Sequence, residues 1–127
     1  MQITLKNLEI INAFNSAGEL MQVKNIPVKV SWNITKNMNK IEKAFKSYAD
    51  LEQKLIQEFA LKDNDGKIKI DENNQPKFPP RSEYYSKQAN LLECEDTLDL
   101  LTIKLEDLEK CSLSPATLYN LHFMIEE

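Results

Sequence analysis

The sequence predicts a helix-dominated α+β fold, and three observations predict it. Glycine is scarce, two in 127 residues, which argues against an all-β chain with many tight turns. Residues 27–62 open on Pro27 and then hold no glycine or proline, and their apolar residues recur at helical spacing. Shorter stretches, residues 67–71 and 101–105, alternate with strand periodicity instead. With 42% apolar and 28% charged residues, the chain is one domain able to bury a modest core. No stretch approaches eighteen consecutive apolar residues, so no membrane span is expected. Residues 1–10 lack the basic lead and apolar centre of a secretory signal, and the expected location is cytoplasmic.

The elements follow in order. Ile3 and Leu5 alternate with Gln2 and Thr4 as a short edge strand. Asn7 then reads as the cap of a first helix with Leu8, Ile11 and Phe14 on one face, and Gly18 as the end of its regular part. Leu20, Met21, Val23 and Ile26 make an apolar connection. Ile26, biased away from the helical region by the following proline, and Pro27, suited to a first helical turn, set up the next helix.

That helix spans residues 27–62, about 50 Å at 1.5 Å per residue. Its stripe is Ile34, Met38, Ile41, Phe45, Tyr48, Leu55 and Phe59, with heptad-like steps broken where Glu52 takes a seam position. Val28, Val30 and Trp32 precede the stripe, and the β-branched Val28 and Val30 make a soft start that moves the expected onset toward Ser31. A stripe this long exceeds one small core, so part of it is expected to meet a second copy.

Asp63-Asn64-Asp65-Gly66 stops the helix, with Gly66 best able to adopt positive φ. Residues 67–71 and 76–78 are expected to pair as a small hairpin, Phe78 facing Ile68 or Ile70, within an antiparallel sheet completed by residues 98–105. Ser82 starts a helix ending near Glu95, and Ser114-Pro115 caps a short last helix carrying Leu118, Leu121, Phe123 and Ile125. No internal repeat is expected.

The net charge of −4 is unevenly spread. Residues 27–62 carry seven lysines against four acids, while residues 63–127 carry seven basic residues against fourteen acids. A basic helix and an acidic C-terminal half suggest packing of one on the other, within or between subunits.

No motif brings together the residues that chemistry needs. The glycine of the Asp63–Gly66 turn falls at position four, where a calcium loop needs it at six. Glu93, Glu95, Asp96, Asp99, Glu106, Asp107 and Glu109 lack a histidine among them and read as a solvated acidic surface. The lone His122 has no nucleophile or acid at a suitable spacing. Cys94 and Cys111 read as reduced thiols; whether they meet depends on the fold. Asn33-Ile34-Thr35 fits a glycosylation sequon, but inside a helix of a chain with no export signal it carries no weight. Lys36, Lys40 and Lys43 share a stripe that, with Arg81, offers contacts for an anionic ligand; the acidic total disfavours nucleic acid. No catalytic residue, metal or cofactor is assigned.

The run from Asn25 through Pro27, Trp32 and Asn37 to Lys40-Ile41-Glu42 forms a pattern with Tyr48, Leu55 and the Lys62–Gly66 stop. Leu91-Leu92, an acidic strand with Ile103 and Leu105, Leu113-Ser114-Pro115 and residues 121–125 extend it. This pattern resembles small proteins of tailed phages and prophages of low-GC bacteria. The resemblance implies a phage accessory protein in the infected host's cytoplasm or in the virion, and carries no catalytic residue over. The expected function is non-enzymatic binding as a homo-oligomer, in a virion, assembly or scaffold role. The alternative is counter-defence, by blocking a host immune effector or sequestering a nucleotide signal.

Overall fold

The structure, a computed structural model, describes residues 1–126. Its order is β1 (Gln2–Lys6), α1 (Asn7–Met21), α2 (Val28–Phe59), α3 (Glu83–Glu93), β2 (Glu95–Asp99) and β3 (Ile103–Lys104). A 3-10 turn (Leu105–Leu108), α4 (Pro115–Asn120), a second 3-10 turn (His122–Met124) and β4 (Ile125–Glu126) complete it. The helix-dominated α+β class is therefore as the sequence predicts.

Helix α2 is the spine. Asn25 at φ 65° and Pro27 at φ −59°, ψ 144° turn the chain into it, so the β-branched start is fully helical. Ile34, Met38, Ile41, Ala44 and Tyr48 are buried in the chain's own fold. The first four join one core with Ile10, Ala13 and Leu20 of α1, Ile103, Leu108, Leu121 and Met124. Burying each large aliphatic side chain contributes about 1.5–3 kcal/mol. Phe45 lies flat on Phe14, ring centroids 4.1 Å apart. Leu55 and Phe59 are half-buried at the far end, where the Lys87 ammonium sits 5.7 Å from the Phe59 ring centre. The stripe expected to be left for a second copy is thus mostly intramolecular core, because α1, β3 and the C-terminal turn converge on it.

Four boundaries differ from the sequence reading. Helix α2 ends at Phe59 and not at residue 62, because Ala60 at φ −69°, ψ 147° is already extended before the Asp63–Gly66 turn. Helix α1 runs through Gly18 to Met21, since Leu20, 3% exposed, is anchored in the core two residues on. The cap of α1 is Lys6, whose N–H donates to the Glu9 carboxylate at 3.0 Å; Asn7 instead donates its amide to the Leu91 carbonyl at 2.8 Å. The last helix stops at Asn120, before Phe123 and Ile125, because Leu121 at φ −115°, ψ 10° leaves the helical path.

The sheets also differ. β1 and β2 pair antiparallel, Ile3 opposite Leu98, and β3 and β4 pair in parallel over two residues. Residues 98–105 do not form one strand: Leu100 and Ile103, both buried, lie three apart, which strict alternation cannot satisfy. The partner of β2 comes instead from the opposite end of the chain.

Residues 61–82 form a closed ring in which the expected pairing of residues 67–71 with 76–78 is present as one antiparallel bridge, Ile70 with Pro76, and a second bridge joins Lys62 to Ile68. Lys69 N–H donates to the Leu61 carbonyl at 2.8 Å, Lys77 to Lys69 at 2.9 Å, and Leu61 to Lys77 at 2.8 Å. Turns follow at eight-residue spacing, Gly66 N–H donating to Asp63, Asn74 to Asp71 and Ser82 to Pro79. This is an internal repeat that the sequence reading missed. Phe78 stacks on Tyr84, centroids 3.9 Å apart, fastening the ring to α3.

Candidate docking surface

The residues with catalytic potential are each engaged or isolated. The His122 ring lies 2.6 Å from the Tyr119 carbonyl through Nδ1, beside Phe123. Cys94 is exposed and contacts the Asn90 carbonyl at 3.4 Å; Cys111 is half-buried near the Lys24 carbonyl; both thiols are free. Glu19 lines a cleft of about 330 Å³ with Lys24, Lys110 and Cys111, yet its carboxylate is taken up by α4. It accepts from the Ser114 N–H at 2.6 Å, the Ser114 hydroxyl at 3.0 Å and the Thr117 hydroxyl. The Thr117 hydrogen bond, followed by that of the Ser114 backbone, holds Glu19 below the ordinary carboxylate range.

The four residues read as anion contacts do not converge. The Lys36 ammonium lies 5.6 Å from the Trp32 ring centre, a cation–π contact. Lys40 donates to the Asp99 carbonyl at the edge of β2, and Lys43 points to solvent. Arg81 sits in the turn before α3 at φ 59°, beyond Tyr84, whose titration responds to Glu52 in the distal half of α2. From Lys43 to Glu52 the helix alone runs about 14 Å. The acidic C-terminal half meets the basic helix through that lysine–carbonyl contact, through hydrogen bonds between Asn37 and the Leu101 backbone, and through packing. The ion pairs found among the described residues are Lys6–Glu93 and the N-terminal ammonium with Asp99.

What the fold leaves open is an apolar face where α1 ends and α2 begins. Leu20, Met21, Val23, Ile26, Ile34 and Thr35 line a groove of about 50 Å³ there. Met21 is 50% exposed, Val28 85% and Trp32 58%. Val28, Trp32 and Lys36 are spaced by four and share one side of the helix. The start of α2 has no side-chain cap and no acid in its first turn, so its free N–H groups and Lys29 make this end positive. Trp32 is the residue of this surface most suited to anchoring a partner, since a large ring buries much area with little entropy loss. Sequence reading placed Trp32 only at the soft start of the helix; the signal was its i, i+4 spacing from Val28, one position off the buried stripe.

No described helix is long and apolar enough to cross a membrane. No family model, curated protein or solved structure matches the chain.

Proposed function

We propose that this chain is a non-enzymatic accessory protein that acts by binding another protein, with Trp32 as the anchor. The observation that carries the reading is the exposed pair Val28 and Trp32 beside an apolar groove, on a helix whose Ile34, Met38, Ile41 and Tyr48 are buried at home and whose other large exposed apolar residue is Leu51, 45% exposed and well down the helix. The phage resemblance supports a virion, assembly or scaffold role, with self-association as part of it. A photo-crosslinking residue at position 28 or 32, introduced into the chain in infected cells, tests this. Discrete protein adducts are expected there and not at Lys54, on the solvated back of α2. Equal labelling at both places counts against the reading.

A second reading, counter-defence by blocking a host effector, is supported by the carboxylates of Glu93, Glu95, Asp96 and Asp99, which flank or lie on β2 and are exposed. Binding through that face falls steeply with salt, whereas binding through Trp32 changes little.

A further inference from the structure

We infer that a second copy of this chain pairs along the free edge of β1, antiparallel and centred on Ile3. Two two-stranded ribbons then become one four-stranded sheet. The inference rests on the self-association in the reading above and is independent of the Trp32 face.

The backbone accounting singles out this edge. Met1 and Leu100 exchange hydrogen bonds at 2.9 Å in both directions, and Asn7 N–H donates to the Cys94 carbonyl at 2.9 Å. With Ile3 opposite Leu98 and Leu5 opposite Asp96, the odd residues of β1 aim their N–H and C=O groups at β2. Gln2 and Thr4 therefore aim theirs outward, where they have no protein partner among the described residues. The outward N–H of Lys6 is taken by Glu9, which closes the edge at that end.

The outer edge of β2 is defended. Lys40 occupies the Asp99 carbonyl there, and pairing two copies about Thr97 would set Glu95 against Asp99. Like charges directly opposite one another are destabilising. The edge of β1 carries no such charge. In a register centred on Ile3, each Gln2 faces the Thr4 of the other copy, and four interchain backbone bonds form. The two half-buried Ile3 side chains meet, and Met1, 62% exposed, lies opposite Leu5 of the other copy, which is 2% exposed and already buried in its own core. A register centred on Thr4 would need the Lys6 N–H already held by Glu9. The two apolar side chains per copy that still have surface to bury, Met1 and Ile3, fall far short of the roughly 800 Å² per partner of a stable dimer, so association is weak and concentration-dependent.

Sedimentation of the full chain between about 10 μM and 1 mM brackets such a contact. Thr4→Pro removes the outward N–H without breaking a backbone bond to β2, a placement proline tolerates on an edge strand, and loses the Thr4–Thr97 hydroxyl bond, which Thr97→Pro loses as well. It is expected to weaken association at least tenfold, while Thr97→Pro on the other edge leaves it unchanged. In a Cys94→Ser background, Ile3→Cys is expected to form an interchain disulfide on oxidation. Opposed residues of this pair type lie about 4.5 Å apart at Cα, within disulfide reach. A monomer throughout, a folded Thr4→Pro that associates like wild type, or no disulfide at Ile3→Cys overturns the inference. Crosslinking at Trp32 is read separately and survives such a failure.

Discussion

The Asn37 side chain clamps the backbone of Leu101 from both sides. Its Nδ2 donates to the Leu101 carbonyl at 2.7 Å while Oδ1 accepts from the Leu101 N–H at 2.8 Å. Asn37 is fully buried, on the same face of α2 as Ile34 and Ile41, so it ties the spine to the turn between β2 and β3. Asn37→Leu leaves both Leu101 groups without that partner and is expected to lower stability by roughly 2–4 kcal/mol in urea unfolding. Asn37→Asp is expected to be worse, because a carboxylate oxygen then faces the Leu101 carbonyl and a charge is buried. A Leu variant as stable as wild type would remove the clamp from the account.

The stacked pair Phe14 and Phe45 separates core from interface on α2. Phe45→Ala is expected to cost about 2–3 kcal/mol, toward the low end of aromatic truncations because the ring is half-buried. The association constant measured by sedimentation should not move. Val28→Ser, at a position 85% exposed, is expected to stay within about 0.5 kcal/mol of wild type. If Phe45→Ala instead dissociated an oligomer without destabilising the subunit, the stripe would be an interface after all.

The long helix was legible because its 3.6-residue period persists over 32 residues, and the caps at Ser82 and Ser114 because each is a local side-chain-to-backbone bond. β1 and β2 were not legible as a pair, since Gln2 and Asp99 stand at opposite ends of the sequence and only the fold joins them. The ring of residues 61–82 escaped because its third turn opens on Pro79, where the first two open on Asp63 and Asp71. Asn37 was passed over as a polar residue inside an apolar stripe. Its spacing, three after Ile34 and four before Ile41, was the available signal. The docking face was hidden for the opposite reason: exposure of Trp32 depends on how far α1 extends past Gly18.

The two aspartate turns of the ring predict a paired response. Asp63 Oδ1 accepts from the N–H groups of Asp65 and Lys67 at 2.9 and 3.0 Å, and Asp71 Oδ1 from Asn73 and Gln75 at 2.9 Å each. Gly66 at φ 79° and Asn74 at φ 64° occupy equivalent left-handed positions. Gly66→Val is expected to cost at least about 1–2 kcal/mol, and Gly66→Asn considerably less, because asparagine tolerates this region. Thermal melts read the difference. Equal loss for Val and Asn would mean that φ is not the constraint.

Glu19 couples α4 to α1 in a pH-dependent way. Its folded pKa is depressed, chiefly by the Thr117 hydrogen bond, so its contribution is fully present above the unfolded value of 4.5. The contribution is lost as pH falls through the folded value below that. Glu19→Gln is therefore expected to be less stable than wild type at pH 7, with the two melting temperatures converging in acid. A gap independent of pH would show that Glu19 acts through shape and not through its charge.

Tyr48 and Tyr84 predict the behaviour at the alkaline end. Burial, then the hydrogen bond to Glu52 and its charge, raises the Tyr48 pKa well above the ordinary 10; burial, then the charges of Glu52 and Tyr85, raises that of Tyr84. The fold favours the protonated phenol in each case. The stability they contribute is whole below pH 10 and is lost as pH rises above it toward the folded values. In a spectrophotometric titration these two phenols are expected to ionise only together with loss of the circular-dichroism signal. Glu52→Gln removes the carboxylate charge from both and should move their ionisation to lower pH, while burial still holds them above 10. Two-step ionisation of a folded Glu52→Gln chain at ordinary tyrosine pH would show that burial is not the leading cause.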